Sequence, residues 1–419
     1  MSDDSNATTY RKVCATDTDG CLKEIAPVPD TSLPRWARDV AQPERVYAKD
    51  ATRDSQPLFA PPIPFVIPPA DAGEPFHPHN HCPAIAWCPN GDLLAAWFST
   101  VREAGTEMTI LAGRLRAGRN AWDPAAEFFK APNRNMTGTA LFHDDAGTLY
   151  HVNGMGQDHV TGWENLVALA RASRDNGVTW TTPRPLTADA RYSRRNQVIA
   201  GTSITPGGLW LQPCDGTPGG KGPTALHISR DGGKNWNDPG GDIRGIHAGV
   251  VGLNDGRLLA CGRAQEINGR MPISISEDQG KTWSYRAGPF PPISNAQRLV
   301  LMRLREGPIL LVSFTDACHK IPREQWQGMT FEDGNGRAFT GYGMYAALSC
   351  DEGATWPVRK LLTPGRGTYN GYGHTGKFTC SFDSAEPEGY LAATQTPDGV
   401  IHLISSGLHY RFNRAWLKN

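Results

Sequence analysis

The chain has 419 residues, with 42 basic and 42 acidic side chains and a formal net charge of zero. Because binding to nucleic acid or to an anionic membrane surface depends on excess positive charge, this balance argues against both kinds of partner. No apolar run approaches the ~20 residues that a membrane-spanning helix needs.

The 46 glycines and 33 prolines lie between short apolar runs, which is typical of an all-β chain with many turns. Residues 1–56 are predicted to be a polar arm with one short helix that extends from its cap, Ser32, to Ala41 and has Pro34 in its first turn. Residues 57–70 hold too many prolines for a central strand, so we interpret them as an edge strand.

One eight-residue pattern, Ser-x-Asp-x-Gly-x-Thr-Trp, occurs four times, once with Asn in the Thr position. The copies begin at Ser173, Ser229, Ser276 and Ser349. Each copy follows a short apolar run, which predicts a strand that enters a tight turn. In such a turn the Ser and Asp side chains satisfy backbone N–H groups, the Gly adopts positive φ, and the Trp covers the seam to the next unit.

This pattern is the Asp box, so the chain resembles the sialidase-like (BNR-repeat) β-propellers over about residues 76–416. The resemblance implies an all-β propeller, here residues 57–419. Alignment of the repeated units gives six blades, with seven as the alternative. The predicted units are 82–130, 137–186, 196–240, 247–288, 298–362 and 389–416. The last unit lacks an outer strand, which residues 60–68 would supply to close the ring.

Ligands of propellers usually lie over the central channel, near the start of each inner strand and the end of each second strand. Polar residues occupy most of these positions. The candidate catalytic residues are His79, His81, His151, Arg195 and His247. The candidate substrate-binding residues are Arg102, Asn135, Asn153, Asn196, Arg263, Arg298 and His374. Channel mouths are hydrated, however, so polar residues there can also be purely structural.

The residue types at these positions indicate a chemistry. A glycosidase normally uses two carboxyl groups, whereas no carboxylate begins an inner strand. The available carboxylates are Glu103, Asp215, Glu266 and Asp316. A site rich in His and Arg suits β-elimination at a uronic acid, where a cation neutralises the carboxylate and a His accepts the α-proton.

The chain lacks the Phe-Arg-Ile-Pro motif of exo-sialidases and shows no clear Tyr–Glu nucleophile pair. It is more similar to the propeller enzymes that act on rhamnosyl-glucuronate ends of plant glycans, and more distantly to the propeller ulvan lyases. The similarity lies in His-Asn-His-Cys-Pro-Ala from His79 and in Arg-Asn-Gln-Val-Ile from Arg195. It implies that His81 or His79 acts as base and acid, and that Arg195, with Arg263 and Arg298, holds the uronate.

We therefore expect a carbohydrate-active lyase that cleaves a uronic-acid-containing glycan. One alternative is an exo-acting hydrolase, rhamnosidase-like or sialidase-like, that uses Glu103, Asp215 or Glu266. The other is a glycan-binding propeller without catalysis. The expected partner is an oligo- or polysaccharide, and the expected state is a monomer. No cofactor is required, although Ca²⁺ is compatible with the channel Asp and Asn residues. A secreted or periplasmic location is expected, although no signal peptide is visible in this chain.

Overall fold

The computed structural model of the chain describes residues 10–16, 22–29, 33–42, 56–70, 73, 75–189, 191–216, 222–318, 321–373 and 375–419. Ahead of the main body, Tyr10–Thr16 pairs antiparallel with Leu22–Pro29. The only α-helix among the described residues is Arg414–Lys418, capped by the side chain of Asn413, and 3-10 turns occur at Arg35–Ala37 and Arg323–Gln325.

The main body is a β-propeller of six blades, as predicted, and not the seven-bladed alternative. In each blade the strands are given in order from the central channel to the outer edge. Blade 1 contains His79–Trp87, Leu93–Thr100, Thr109–Leu115 and Ala126–Phe129. Blade 2 contains Thr139–His143, Leu149–Met155, Val167–Ser173 and Arg184–Pro185. Blade 3 contains Gln197–Val198 with Ser203–Ile204, then Trp210–Asp215 and Thr224–Ser229.

The other three blades repeat the same order. Blade 4 contains Ile246–Gly252, Leu258–Arg263, Pro272–Ser276 and Ser284–Ala287. Blade 5 contains Val300–Arg303, Ile309–Phe314, Met344–Ser349 and Val358–Leu361. Blade 6 contains Ala392–Gln395, Ile401–Ile404, Leu408–Phe412 and, as its outer strand, Phe59–Pro64.

The ring closes through that outer strand. Phe59–Pro64 pairs antiparallel with Leu408–Phe412, so a segment near the start of the propeller completes the last blade. This confirms both the edge strand and the closure that the sequence predicts. Its prolines are tolerated because an edge strand needs only one side of its backbone for pairing.

Among the described residues, three additional strand pairs lie outside the blades. Met329–Glu332 pairs with Ala338–Gly341 in an insertion between the second and third strands of blade 5, and Gly367–Asn370 pairs with Lys377–Cys380 between blades 5 and 6. A short parallel pair, Gln297–Arg298 with Gly389–Tyr390, joins the starts of the last two inner strands. This pairing brings Arg298 beside Tyr390 at the channel.

The four repeated turns form as predicted. In the copy that begins at Ser276, the Ser Oγ accepts a bond from Gly280 N (2.7 Å), and Asp278 accepts bonds from the N–H and hydroxyl of Thr282. The glycines of the four copies all have φ between 76° and 85°. These bonds satisfy the turn locally, so blades 2 to 5 end their third strands in the same way.

The arm was predicted less well. Instead of a helix that reaches Ala41, the chain makes one 3-10 turn, Arg35–Ala37, and leaves it at Arg38 with extended backbone. Tertiary contacts override helix propensity here, since the fully buried Arg114 donates to Trp36 O (2.7 Å) and pairs with Asp92 (3.0 Å). No helix among the described residues is long and apolar enough to cross a membrane.

Candidate active site

Backbone irregularities at the starts of inner strands create the site. The pairing register of blade 1 shifts between His81 and Ala84, where Cys82 has φ 52°, and that of blade 4 shifts between Ile246 and Gly249. His247 itself lies in the left-handed region, at φ 54°. Because bulges turn side chains away from the regular strand direction, they direct polar groups towards one end of the channel.

The centre of the site is a chain of three side chains from three blades. Tyr390 Oη lies 3.0 Å from His247 Nε2, and His247 Nδ1 contacts an Asp215 carboxylate oxygen. Asp215 also accepts a bond from the backbone N–H of His247 (2.6 Å) and one from Thr224 (3.2 Å). The Asp215 contact fixes the imidazole orientation and places Nε2 towards the phenol, which is the arrangement that nucleophile–base–carboxylate triads use.

Burial largely determines the protonation states of His247 and Tyr390. Burial lowers the pKa of His247 to about 4, although Asp215 acts in the opposite direction. Burial likewise raises the pKa of Tyr390 to about 12, against the opposing effect of Arg263. At neutral pH both side chains are therefore uncharged, with the phenol available as a proton donor and the imidazole as its partner.

Two arginines surround the phenol. Arg263 Nη1 donates to Tyr390 Oη (2.8 Å) and to the backbone oxygen of Gln297 (3.1 Å). Arg298 lies over the Tyr390 ring, 5.3 Å from its centroid, and donates to the backbone oxygens of Leu391 and Pro83. Arg298 thus uses its hydrogen bonds to stabilise the backbone, whereas Arg263 contacts the Tyr390 hydroxyl itself.

The blade 1 histidines complete the cluster. The ring of His81 lies 3.9 Å from that of Tyr390, centroid to centroid, and 5.3 Å from that of His79. His79 Nε2 lies 3.3 Å from a carboxylate oxygen of Glu103. Exposure increases along this series, because His81 is only 2% exposed whereas the side chain of Glu103 is 38% exposed. His79 and Glu103 therefore form the rim, and His81 and Tyr390 form the floor.

Asn135 supports this rim. Its side-chain amide donates to the backbone oxygens of Glu103 (2.7 Å) and Gly105 (2.9 Å). The neighbouring loop of blade 2 joins the same segment, since Gly162 N donates to Ala104 O (2.9 Å). Asn135 is therefore a support for Glu103 and not a direct contact of the deep cluster.

The structure thus brings together five of the predicted residues, with Asn135 behind them: His79, His81, His247, Arg263 and Arg298. It also adds Tyr390, which sequence reasoning missed. Tyr390 begins the inner strand of blade 6, two residues ahead of Ala392–Gln395, so the rule that selected the other positions would have found it.

Arg195 and Asn196 make their contacts elsewhere. The Arg195 guanidinium pairs with Asp238 and Asp242 and donates to Gly241 O, and these two carboxylates are satisfied by it. Asn196 donates to the backbone oxygen of Leu166 (3.1 Å). These bonds argue against Arg195 as the group that neutralises a substrate carboxylate.

The remaining candidates are also outside the cluster. His151 is buried within blade 2, between Thr139 Oγ1 (2.9 Å) and Arg171 Nε (2.9 Å), and burial holds its pKa well below the usual range. Asn153 donates to the backbone oxygens of Met136 and Gly154. Arg102 is exposed on the rim loop, and His374 lies outside the described residues.

The other candidate carboxylates differ in availability. Asp316 is buried and accepts bonds from the backbone N–H groups of Gln327 and Gly328, so it anchors the insertion of blade 5. Glu266 is exposed on the loop after blade 4's second strand. Within the described part of the chain, no group of three or more His, Cys, Asp or Glu side chains could hold a metal ion. The Ca²⁺ expectation remains a prediction.

Comparison with known proteins supports the architecture. A model of the BNR repeat-like domain matches residues 91–403, well over half of the chain. A sialidase from Micromonospora viridifaciens is 24% identical over 390 residues, which cover 81% of this chain and 52% of that protein. The chain thus spans about half the length of this curated relative.

Solved structures give the same fold. A protein of unknown function from Dyadobacter fermentans superimposes with a TM-score of 0.54 at 15% identity, covering 84% of this chain and 97% of that one. The intramolecular trans-sialidase from Ruminococcus gnavus gives 0.53 at 13% identity, with 83% and 97% coverage. Trypanosoma rangeli sialidase, as a covalent intermediate with 2,3-difluorosialic acid, gives 0.53 at 13%, with 87% and 60% coverage. The chain belongs to the BNR repeat-like domain family and has a six-bladed, sialidase-like propeller fold.

Proposed function

We propose that the protein is a carbohydrate-active lyase that cleaves a uronic-acid-containing glycan by β-elimination. The observation that carries the proposal is the Tyr390 hydroxyl, which lies between His247 Nε2 (3.0 Å) and Arg263 Nη1 (2.8 Å), with the His81 ring against its own ring. Elimination needs a cation at the uronate, a base for the α-proton and an acid for the leaving oxygen. The cluster contains one group of each kind.

The roles follow from position and ionisation. Arg263 neutralises the uronate carboxylate, which makes the adjacent α-proton acidic enough for removal. His81 accepts that proton. The carbon–oxygen bond to the leaving sugar then breaks as the new double bond forms, and the Tyr390 phenol protonates the leaving oxygen. Because the pKa of Tyr390 is raised to about 12, the phenol is in its acid form at neutral pH.

After each turnover the proton that His81 has taken returns to the Tyr390 oxygen, whose ring lies against His81, and both groups are restored. His247 and Asp215 hold the phenol in place for this transfer. His247 Nε2 is in reach of Tyr390 Oη, and Asp215 keeps the ring in the orientation that presents this nitrogen. The carboxylates support the same assignment. Asp215 is fully buried and already bonded to His247 and Thr224, and Asp316 is bonded to the blade 5 insertion. Two available carboxyl groups across a sugar, as a glycosidase uses, are thus not found among the described cluster residues.

An exo-acting hydrolase is the second candidate, and one observation favours it. Tyr390 with His247 and Asp215 has the geometry of an activated nucleophile, and the M. viridifaciens relative is a sialidase. In that case Tyr390 would attack the sugar, and Glu103 would be the carboxylate that assists departure of the leaving group. The third possibility, a glycan-binding propeller without catalysis, has no comparable support.

One experiment separates these possibilities. The protein is incubated with a panel of uronate-containing glycans, including gum arabic and ulvan, and the products are analysed by mass and by ultraviolet absorbance. A lyase gives an unsaturated uronate, which absorbs ultraviolet light and contains no oxygen from solvent. A hydrolase gives a saturated sugar that takes up heavy oxygen from labelled water.

A further inference from the structure

A buried carboxyl group that the proposed reaction does not use lies directly behind the site. Glu386 is 0% exposed, and its Oε2 accepts a hydrogen bond from Tyr410 Oη (2.7 Å). Both residues lie on the blade 6 side of the site, Glu386 in the segment that leads to Tyr390 and Tyr410 in the third strand of blade 6. Burial of a carboxyl group is costly unless it is neutral or well paired, so its presence needs a structural or functional reason.

The second oxygen of this carboxyl lies against the backbone that leads to the phenol. A Cβ on Gly389, the residue before Tyr390, would lie 3.4 Å from Glu386 Oε1. The same segment is fixed by Ser406, whose Oγ accepts a bond from Tyr390 N (3.2 Å). Glu386 and Ser406 thus support the backbone of Tyr390 from one side.

The same oxygen also lies against the turn that faces His81. This turn, named 371–376 and described at residues 371–373 and 375–376, lies between Gly367–Asn370 and Lys377–Cys380. A Cβ on Gly371 would lie 3.0 Å from Glu386 Oε1. Further along the turn, a Cβ on Gly373 would lie 3.8 Å from His81 Nδ1 and 3.6 Å from the Cβ of Ser406. Glu386 Oε1 therefore lies close to both segments that border the proposed proton-transfer residues.

We infer that Glu386 is a positioning residue, which holds the strand of Tyr390 and the turn 371–376 in register so that the phenol and His81 stay in contact. The inference rests on the proposed function where it is tested by enzyme activity. Where it is tested by nuclear magnetic resonance, it does not depend on that function. It goes beyond the reaction roles given above, since Glu386 itself contacts neither substrate nor reacting atoms.

The protonated form is the one that fits this position. Burial raises the pKa of Glu386 to about 8, while bonds from Tyr410 and Ser405 act in the opposite direction and Glu388 acts in the same direction. Among the described residues, Cys380 interacts electrostatically with Glu386, and Tyr369 interacts in the same way with Tyr410. None of the side chains named here is a cation. Ionisation of Glu386 therefore leaves an unpaired buried charge, and water reaches this charge only if the turn opens.

The central test compares Glu386→Gln with Glu386→Ala across pH. An amide mimics the neutral acid, so Glu386→Gln should keep the activity of the wild type at pH 7 and lose the decline that the wild type shows near pH 8. Glu386→Ala should reduce kcat by up to about 100-fold with little change in KM, because misplacement of catalytic groups affects the transition state most. A decline near pH 8 that persists unchanged in Glu386→Gln would overturn the inference.

Tyr410→Phe is the matched variant, since it removes only the bond that lowers the pKa of Glu386. Its alkaline decline should therefore move to higher pH, and a shift to lower pH would contradict the assignment. Thermal unfolding of all three variants checks that each is folded.

If the wild type proves to act on no glycan, the proposed function fails, and the position of Glu386 is then tested by histidine nuclear magnetic resonance. The His81 signals should shift near pH 8 in the wild type and not in Glu386→Gln, whereas identical behaviour in both would refute the inference.

Discussion

Tyr390 Oη lies 3.0 Å from His247 Nε2, although the two residues are 143 positions apart in the chain. Tyr390 begins the inner strand of blade 6, His247 begins that of blade 4, and Asp215 ends the second strand of blade 3. The chain of contacts therefore exists only when the ring is closed. Closure in turn depends on Phe59–Pro64, so the stability of the ring and the geometry of the site are directly coupled.

The first prediction concerns the phenol. Tyr390→Phe removes the hydroxyl that contacts His247 and Arg263 and keeps the ring that packs on His81. We expect turnover to fall by at least about 100-fold, the usual contribution of a positioned acid or base, while the fold is retained. Steady-state kinetics and circular dichroism measure the two effects.

Tyr345→Phe is the control for that variant. Tyr345 is also fully buried, but it lies in the third strand of blade 5, where it packs on Phe290 and Phe331. Activity within about twofold of the wild type is expected for Tyr345→Phe. Equal losses in both variants would mean that the hydroxyl of Tyr390 acts through packing and not through chemistry.

The second prediction separates two arginines. Arg263→Lys keeps the charge but loses the planar fork, so kcat/KM on a uronate glycan should fall by roughly 100-fold. Arg195→Met should leave kcat/KM within about twofold and lower the melting temperature, because Arg195 is bonded to Asp238 and Asp242. The opposite pattern would support the sequence-based assignment of Arg195.

This contrast shows what the sequence alone could predict. The repeated Ser-x-Asp-x-Gly-x-Thr-Trp turns indicate the propeller, and strand periodicity locates the inner-strand starts that carry His79, His81 and His247. Those positions follow from local pattern and from the symmetry of the fold.

Arg195 could not be resolved in the same way. It also precedes an inner strand, but its orientation depends on Asp238 and Asp242, which lie more than forty positions away. A catalytic tyrosine of a sialidase is expected beside a glutamate, whereas the partners of Tyr390 are His247 and Arg263, so the Tyr–Glu pattern does not identify it. The bulges at Cys82 and His247, which turn the histidines inwards, also leave no clear mark in the sequence.

The third prediction distinguishes the two reaction classes through Glu103. If the protein is a lyase, Glu103→Gln should reduce activity by about tenfold or less, since the carboxylate only supports His79 at the rim. If it is a hydrolase, the loss should reach roughly 1,000-fold, because Glu103 is the one partly exposed carboxylate that the described cluster contains. Asn135→Ala removes the hydrogen bonds that hold the Glu103 loop. Its loss of activity should also be smaller for a lyase than for a hydrolase, and in each case smaller than that of Glu103→Gln.

The fourth prediction concerns acid stability. His402 Nδ1 lies 3.0 Å from His409 Nε2 in blade 6, and Trp122 Nε1 donates to His409 Nδ1 (3.3 Å). Burial lowers the pKa of His402 to about 4 and that of His409 well below 6.5. The unfolded chain therefore binds protons first, and stability is lost as the pH falls from about 6.5 towards 4.

Thermal unfolding between pH 7.5 and pH 4.5 tests this prediction. The melting temperature of the wild type should fall through that window, and His402→Gln should show a shallower decline. The slope will not vanish, because the pKa values of the buried His151 and His227 are lowered as well. The exposed His159→Gln serves as the control, and a slope reduced equally by both substitutions would contradict the assignment to blade 6.

The most direct test of the central claim is to identify the product formed from a uronate glycan. The reaction is run in water labelled with heavy oxygen, and the product is analysed by ultraviolet absorbance and by mass. Elimination through His81, Tyr390 and Arg263 predicts rising absorbance and no incorporation of solvent oxygen. The rise in absorbance should be lost in Tyr390→Phe. A saturated product that carries the heavy oxygen would contradict the lyase and identify a hydrolase.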